Sequence, residues 1–446
     1  MRGRRPGCNA SGKPCTVHKL STASGRFPEE FGAFLHARAA SAADVSAVVT
    51  PILRRVHREG DAALLAYTRQ FDRWEAALET LRVTPQEVAN ALALCAPELT
   101  KSLKVAASRI RAYSERQMPA DAQYTDAEGL TLGWRWTPVD AVGLYVPGGA
   151  AAYPSSVLMN AVPALVAGVR RIAMVVPAPD GQLNPSVLAA AHVAGIQEIY
   201  KIGGAQAVGA LAYGTETIAA ADKIVGPGNA YVSEAKRQVF GTVGIDMIAG
   251  PSEILVVADR ETNPEWIAAD LLSQAEHGPA DEAQSILITN DAPFAEKVAQ
   301  AVERLLQTLP RAAIARASWE RHGAIIVVRD WQEAVPLIDA IAPEHLELAL
   351  EAPEALAAAV RHAGAIFMGR HTPEAVGDYV AGPSHVLPTF RSARFSSGLS
   401  VFDFLKRSSL IGCTPQSLAA IGMYAEVMAT QEGLEAHALS LRLRTK

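Results

Sequence analysis

From Ala141 onward, short apolar runs alternate with helical segments, and this alternation constrains the fold of the 446-residue chain more than any other feature. The runs are Ala141 to Val146, Arg171 to Val176, Glu198 to Ile202, Lys223 to Val225, Ile254 to Ala258, Ser285 to Thr289 and Ala324 to Val328. Parallel neighbours need a crossover of about a dozen residues or more, and a helix supplies it. The prediction is therefore an α/β fold with parallel sheets. The pattern continues on both sides of Gly241 to Pro251, which favours two incomplete Rossmann-like domains over one giant sheet. Before it, Val45, Val48, Val49, Ile52, Leu53 and Val56 recur at spacings of three and four, and a second such run extends from Val88 through Leu99 to Ile110. These spacings predict N-terminal helices. After about Arg391 the strand signal fades, and a small C-terminal helical region is expected over 391–446.

Residues 1–28 carry Arg2, Arg4, Arg5, Lys13, Lys19 and Arg26 and no acid. They read as a disordered basic tail, and setting its six charges aside changes the formal net charge from −5 to −11. No global basic field is available to hold a nucleic acid. Ala141 to Val169 is free of charge and long enough to span a bilayer. Pro147, Gly148, Gly149, Pro154, Asn160 and Pro163 interrupt it, so it reads as a buried loop and helix rather than a membrane span. Cys8, Cys15, Cys95 and Cys413 are scattered and form no C-x-x-C pair, which fits a reducing, cytoplasmic setting.

The dinucleotide fingerprint G-x-G-x-x-G follows none of the runs, and no P-loop is present. Three Gly-rich turns nevertheless stand at the carboxyl ends of candidate strands, where open α/β sheets bind ligands. They are Tyr145 to Gly149, Gly203 to Gln206, and Gly226 to Asn229. A bound nucleotide and ordinary strand-to-helix connections are both compatible with them. Gln274 and His277 lie three apart on a helical face and could share a metal or form a polar pair at a helix end. Glu344 and His345 follow Pro343. As acid and imidazole they could accept protons of different basicity, provided that an irregular backbone lets neighbouring side chains act together. Asp378 ends a helical segment, where its charge opposes the helix dipole, so metal ligation would explain it. Glu432 and His437 lie in a charged, helix-like run that would ordinarily be solvated.

Taken together, the motifs resemble the histidinol dehydrogenase family from about Phe27 to the C-terminus. They are Gly143 to Gly149, Tyr153 to Asn160, the Gly203 and Gly226 turns, Ala249 to Glu253, Gln274 to His277, Pro343 to Glu347, Gly377 to Tyr379, His385 to Thr389, and Glu432 to His437. The resemblance implies oxidation of L-histidinol through the aldehyde to L-histidine with two NAD and one bound Zn2+ per subunit. It implies zinc ligands Gln274, His277, Asp378 and His437, substrate contacts from these four and from Ser252, His345 and Glu432, and NAD contacts from Tyr145, Gln206 and Asn229. His345 would take the alcohol proton and Glu344 would activate water. A homodimer with intertwined C-terminal regions would place Glu432 and His437 in the other subunit's site. The expected domains are then 29–140 with 251–390 as a discontinuous α/β domain, 141–250 as the NAD-binding domain, and 391–446 as a dimerisation region.

Two positions depart from the family pattern. The segment Gly278 to Gln284 after His277 is longer than usual and begins with Gly, and Ser384 stands where Asn is common. Two other functions compete with histidinol oxidation. One is a relative that oxidises another small alcohol, such as a hydroxy-sulfonate, although Glu432 near the substrate disfavours an anion. The other is a non-catalytic nucleotide-binding scaffold, which the intact Glu344 and His345 disfavour.

Overall fold

The computed structural model describes residues 17–39, 44–148, 153–248, 250–277 and 282–445. The strands in chain order are β1 (His18–Ser21), β2 (Ala122–Thr125), β3 (Thr131–Pro138), β4 (Ala141–Tyr145), β5 (Arg171–Val175), β6 (Glu198–Tyr200), β7 (Lys223–Val225), β8 (Gly244–Ile245), β9 (Glu253–Ala258), β10 (Gln284–Thr289), β11 (Ala324–Val327), β12 (His345–Ala349), β13 (Ala365–Met368) and β14 (Leu405–Gly412). Two sheets are wholly parallel: five strands in the order β6-β5-β4-β7-β8, and six in the order β1-β11-β10-β9-β12-β13. The third, β14-β3-β2, is antiparallel. The mixed α/β fold with two parallel sheets is the predicted one.

Burial explains why the seven apolar runs were legible. β4, β9 and β10 are buried along their whole length, as strands covered by helices on both faces must be, so they read as continuous apolar stretches. Of the strands that the sequence did not reveal, β2, β3, β13 and β14 lack this signature, whereas β12 is buried throughout but carries His345 and Glu347 among its apolar residues. β14 runs Leu-Lys-Arg-Ser-Ser-Leu-Ile-Gly and is almost wholly exposed, so the C-terminal region is not purely helical: it adds a strand to β3 before the helices Pro415–Gln431 and Glu435–Thr445. β1 is a short polar strand that pairs with β11, register His18 to Ala324, and the helix Phe27–Ala39 follows it. The expectation of a disordered tail to residue 28 is thus corrected from Val17 onward, while residues 1–16 lie outside the described residues.

The packing of the N-terminal helices also differs from expectation. Val49, Ile52, Leu53 and Val56 of helix Ser46–Glu59 share a core with Tyr145, Val175, Ala207 and Leu211. Leu103, Ala106 and Ile110 of helix Pro97–Gln117 share one with Val142, Leu144, Leu158 and Met174. These helices therefore cover the five-stranded sheet rather than joining the core of residues 251–390. In residues 29–140 it is Phe31 and Phe34 of helix Phe27–Ala39 that pack on the six-stranded sheet. Periodicity identifies an apolar stripe and says nothing of which sheet receives it. No helix among the described residues is long and apolar enough to cross a membrane.

Asp72 closes helix Asp61–Asp72 at the edge of this packing. Its carboxyl is buried, Oδ2 has no partner among the described residues, and burial pushes it up to about 6 against the nearby Arg73 charge. The folded value lies above the ordinary 3.8. Ionisation therefore costs stability as pH rises from 3.8 through about 6, and the cost is complete above that range. Asp72→Asn should stabilise the protein at pH 7.5 by about 2 kcal/mol and change little near pH 4, as urea unfolding at the two pH values would measure.

Candidate active site

The site is built where β12 enters the six-stranded sheet. Ala342 ends helix Trp331–Ile341 in the left-handed region (φ 47°, ψ 63°), Pro343 follows, and His345 begins β12. This is the irregular backbone that joint action requires. β12 runs parallel to β9 with His345 opposite Ile254, which brings Glu344 and His345 beside Glu253. The Glu253 N–H donates to Glu344 Oε2 at 2.9 Å, and the Glu253 carbonyl lies 3.0 Å from His345 Nδ1. A carbonyl only accepts, so Nδ1 carries a proton and Nε2 is left as the exchangeable nitrogen. Gly364 closes the other side. Its N–H donates to Pro343 O, and a Cβ there would lie 2.5 Å from Glu344 O.

Glu253 is itself anchored. Its side chain is buried and ion-paired with Arg38 at 3.1 Å, Phe390 N–H donates to Oε1 at 3.3 Å, and Arg38 also donates to Gln284 Oε1. Burial pushes Glu253 up while Arg38 pulls it back down.

Acids surround the imidazole. His345 Nδ1 lies 3.5 Å from Glu374 Oε1 and 3.7 Å from Glu344 Oε2, and Nε2 lies 3.5 Å from Asp378 Oδ1. Burial alone would lower His345, but Glu374, Glu344 and Asp378 raise it to about 10. Glu344 is raised to about 8, chiefly by burial, with the His345 charge opposing. Glu374 is likewise pushed up by burial, to about 7, and Asp378 is held low by the neighbouring His345 in spite of burial. Behind them Glu347 and Asp270 share a hydrogen bond, with both carboxyls raised by burial.

The donor set suits a divalent cation. His345, Glu374 and Asp378 each bring one ligand atom within 4.8 Å of the others. Gln274, fully buried on helix Pro264–Ala275, places Nε2 3.3 Å from His345 Nδ1, while its Oε1 is buried without a partner among the described residues. His345 Nε2 and Glu374 Oε1 are also buried without hydrogen bonds among the described residues. His277 follows the same helix, its backbone N–H donating to Gln274 O, and burial depresses its pKa while Asp378 opposes that shift. Neutral imidazole, amide and carboxylate donors with no thiolate fit a borderline ion such as zinc, and buried orphaned atoms mark where a missing partner belongs. The chain thus gathers Gln274, His277 and Asp378 near His345. It leaves Glu432 and His437 exposed at the ends of the two C-terminal helices. Ser252 directly precedes β9, and its carbonyl accepts from Gln284 N–H at 2.9 Å. The segment 278–281 lies outside the described residues, and Ser384 Oγ accepts from Val386 N–H at 3.2 Å.

The three Gly-rich turns converge at the carboxyl ends of β4, β6 and β7. In this sheet the chain moves outward from β4 through β5 to β6 and then returns to β7 on the other side of β4, which opens a crevice between β4 and β7. Buried Tyr145 accepts the Gly204 N–H on its hydroxyl at 3.0 Å, and burial pushes the phenol up to about 12. Gln206 is buried in the first turn of helix Gly204–Tyr213. Asn229 caps helix Ala230–Val239, its side chain accepting from Tyr231 and Val232 N–H at 3.1 Å.

His385 ties the two halves together. One ring nitrogen lies 3.1 Å from Ser156 Oγ on the helix after β4, and the other lies 3.0 Å from Asp378 O. His385, Glu253, Glu374 and Arg38 have no role assigned from the residues alone. Glu253 has a local signal, an acid at the edge of an apolar run, whereas Glu374 reads as an ordinary helix-start acid and Arg38 lies more than two hundred residues from its partner.

With this geometry in place, the comparisons are specific. Residues 35–445 match the family model described as histidinol dehydrogenase. The histidinol dehydrogenase of Rhodospirillum rubrum is 61% identical over 427 residues, covering 96% of this chain and 98% of the relative. That of Gluconobacter oxydans is 58% identical, covering 96% and 99%. The crystal structure of histidinol dehydrogenase from Elizabethkingia anophelis superposes with a TM-score of 0.91 at 37% identity, covering 96% of this chain and 98% of that one. The chain belongs to the histidinol dehydrogenase family.

Proposed function

We propose that this protein oxidises L-histidinol through L-histidinal to L-histidine in histidine biosynthesis, using two NAD and one zinc ion per subunit in the reducing cytoplasm. The observation that carries this reading is the pairing of Glu344 and His345 on the main chain of Glu253, beside buried nitrogen and oxygen atoms that have no hydrogen-bond partner among the described residues.

His345 acts through Nε2 as the base for the alcohol proton, while the Glu253 carbonyl holds the Nδ1 proton in place. Glu344, raised towards neutrality by burial, takes the proton of the water that adds to the aldehyde, giving a hydrate for the second hydride transfer. Tyr145, Gln206 and Asn229 line the crevice that receives the nucleotide, which accepts the hydride. Gln274, His277 and Asp378, with His437 from a second copy, would hold zinc, which supplies charge stabilisation and orientation of the substrate nitrogens. A cation beside Asp378 would also favour loss of the His345 proton, because it opposes the carboxylate field. Ser252, His345 and Glu432 complete the substrate contacts.

The second copy is supported by the exposed apolar face of the C-terminal region, where Ile411, Met423, Tyr424, Val427, Met428 and Leu443 project into solvent. That face leads to Glu432 and His437, which makes a homodimer with shared sites the natural arrangement.

Zinc-loaded protein incubated with histidinol and NAD should give histidine with two NADH for each histidine formed, and faster turnover of a hydroxy-sulfonate would replace this reading. Partners around a metal ligand alone are worth about 10- to 100-fold in affinity. Asp378→Asn should therefore weaken zinc retention at least as much while the circular dichroism spectrum stays native, as metal analysis after dialysis would measure. Co-refolding His345→Asn subunits with His437→Ala subunits should restore about a quarter of wild-type activity, because half of the dimers are hybrids with one intact site. No recovery would place His437 in its own subunit's site, and full activity of His437→Ala alone would place it in none.

A further inference from the structure

We infer that Lys236 and Asp246 are positioning residues for the nucleotide, a buried ion pair that fixes the Gly226 to Asn229 turn from behind. The inference rests on the nucleotide reading of that crevice.

Their side chains are 2% and 1% exposed and form a direct ion pair. Each also holds one polar group of Gly226. Lys236 Nζ donates to the Gly226 carbonyl at 2.9 Å, and the Gly226 N–H donates to Asp246 Oδ2 at 2.8 Å. Gly226 has φ 111°, and a Cβ there would lie 2.0 Å from Tyr145 O, so its backbone sits against the residue that opens the neighbouring turn. The pair therefore locks a peptide segment at the β4/β7 crevice. A buried lysine and aspartate are costly to desolvate unless geometry and further hydrogen bonds satisfy them. Here both are used on one glycine of the crevice.

The two residues come from different directions. Lys236 lies on helix Ala230–Val239, two turns beyond the Asn229 cap, so cap and clamp act on the two ends of the same turn. Asp246 follows β8, which pairs with β7, and it also accepts Met247 N–H at 2.7 Å. Met247 opens the crossover that leads to Ser252 and Glu253. The clamp thus fixes the nucleotide turn at the point where the chain leaves for the substrate side. Neither side chain reaches the crevice itself: the contacts are to the backbone of Gly226 and Met247, and the effect on the cofactor passes through the turn.

The test compares wild type with Lys236→Met and with the charge-neutral double variant Lys236→Met/Asp246→Asn, which removes the ion pair without leaving a lone buried charge. NADH affinity is read by fluorescence titration, together with the KM for NAD, the KM for histidinol and bound zinc. Loss of a buried hydrogen bond to the turn should weaken NADH binding about tenfold and raise the KM for NAD in step. The KM for histidinol and the zinc content should stay within about twofold of wild type, a margin well below one such bond. Unchanged NADH affinity in the folded double variant would overturn the clamp alone. Equal losses for NAD, histidinol and zinc would also overturn it, by showing a general structural role. Wild-type protein that binds no NADH would overturn the nucleotide reading, and the clamp with it.

Discussion

The site depends on the pairing of β9 with β12. Parallel register brings Glu344 and His345 alongside the first residue of β9, and one peptide there serves both: its N–H holds a carboxylate and its carbonyl fixes an imidazole nitrogen. A slip of one residue would turn alternate side chains to opposite faces and separate the pair from its anchor. The register is in turn enforced by two faces of apolar contacts, with Ile254 and Val256 packing on one side of the sheet and Leu255, Val257, Leu346 and Leu348 on the other. Catalytic orientation is thus stabilised by a whole sheet core rather than by local hydrogen bonds alone.

This rigidity supports an otherwise unfavourable collection of charge. Glu344, Glu347, Glu374 and Asp270 all have carboxyls raised by burial, and His345 gathers three carboxylates around one ring. Such a cluster stores negative charge that a divalent cation would relieve, and the partnerless Gln274 Oε1 and His345 Nε2 mark unfilled demand beside it. A divalent cation, proposed above as zinc, would answer these electrostatics as well as the chemistry.

The sequence reveals this arrangement unevenly. β4, β9 and β10, buried on both faces, announce themselves as apolar runs, and the Gly-rich turns after β4, β6 and β7 are equally plain. β1 and β14 do not, because edge and surface strands carry polar residues and their pairing is set by distant partners such as Ala324 and Trp136. The same holds for the site. Gln274 and His277 share a helix and can be found by spacing, whereas the Arg38–Glu253 ion pair and the His385–Ser156 contact join residues far apart in the chain. Their energetic logic exists only once the sheets are assembled. Glu374 looks like an ordinary acid in the first turn of a short helix until its burial beside His345 is known.

In the proposed reaction the two residues that Glu253 holds together divide the labour, His345 on the alcohol and Glu344 on the aldehyde. The most direct measurement follows NADH formation separately from histidinol and from histidinal in His345→Asn and Glu344→Gln proteins loaded with zinc. General acid–base groups are worth about 10²- to 10⁴-fold, so the account predicts a loss of that order on the alcohol for His345→Asn and on the aldehyde for Glu344→Gln, with a much smaller effect of Glu344→Gln on the alcohol. Equal losses on both substrates for both variants, or wild-type rates in either variant, would contradict it.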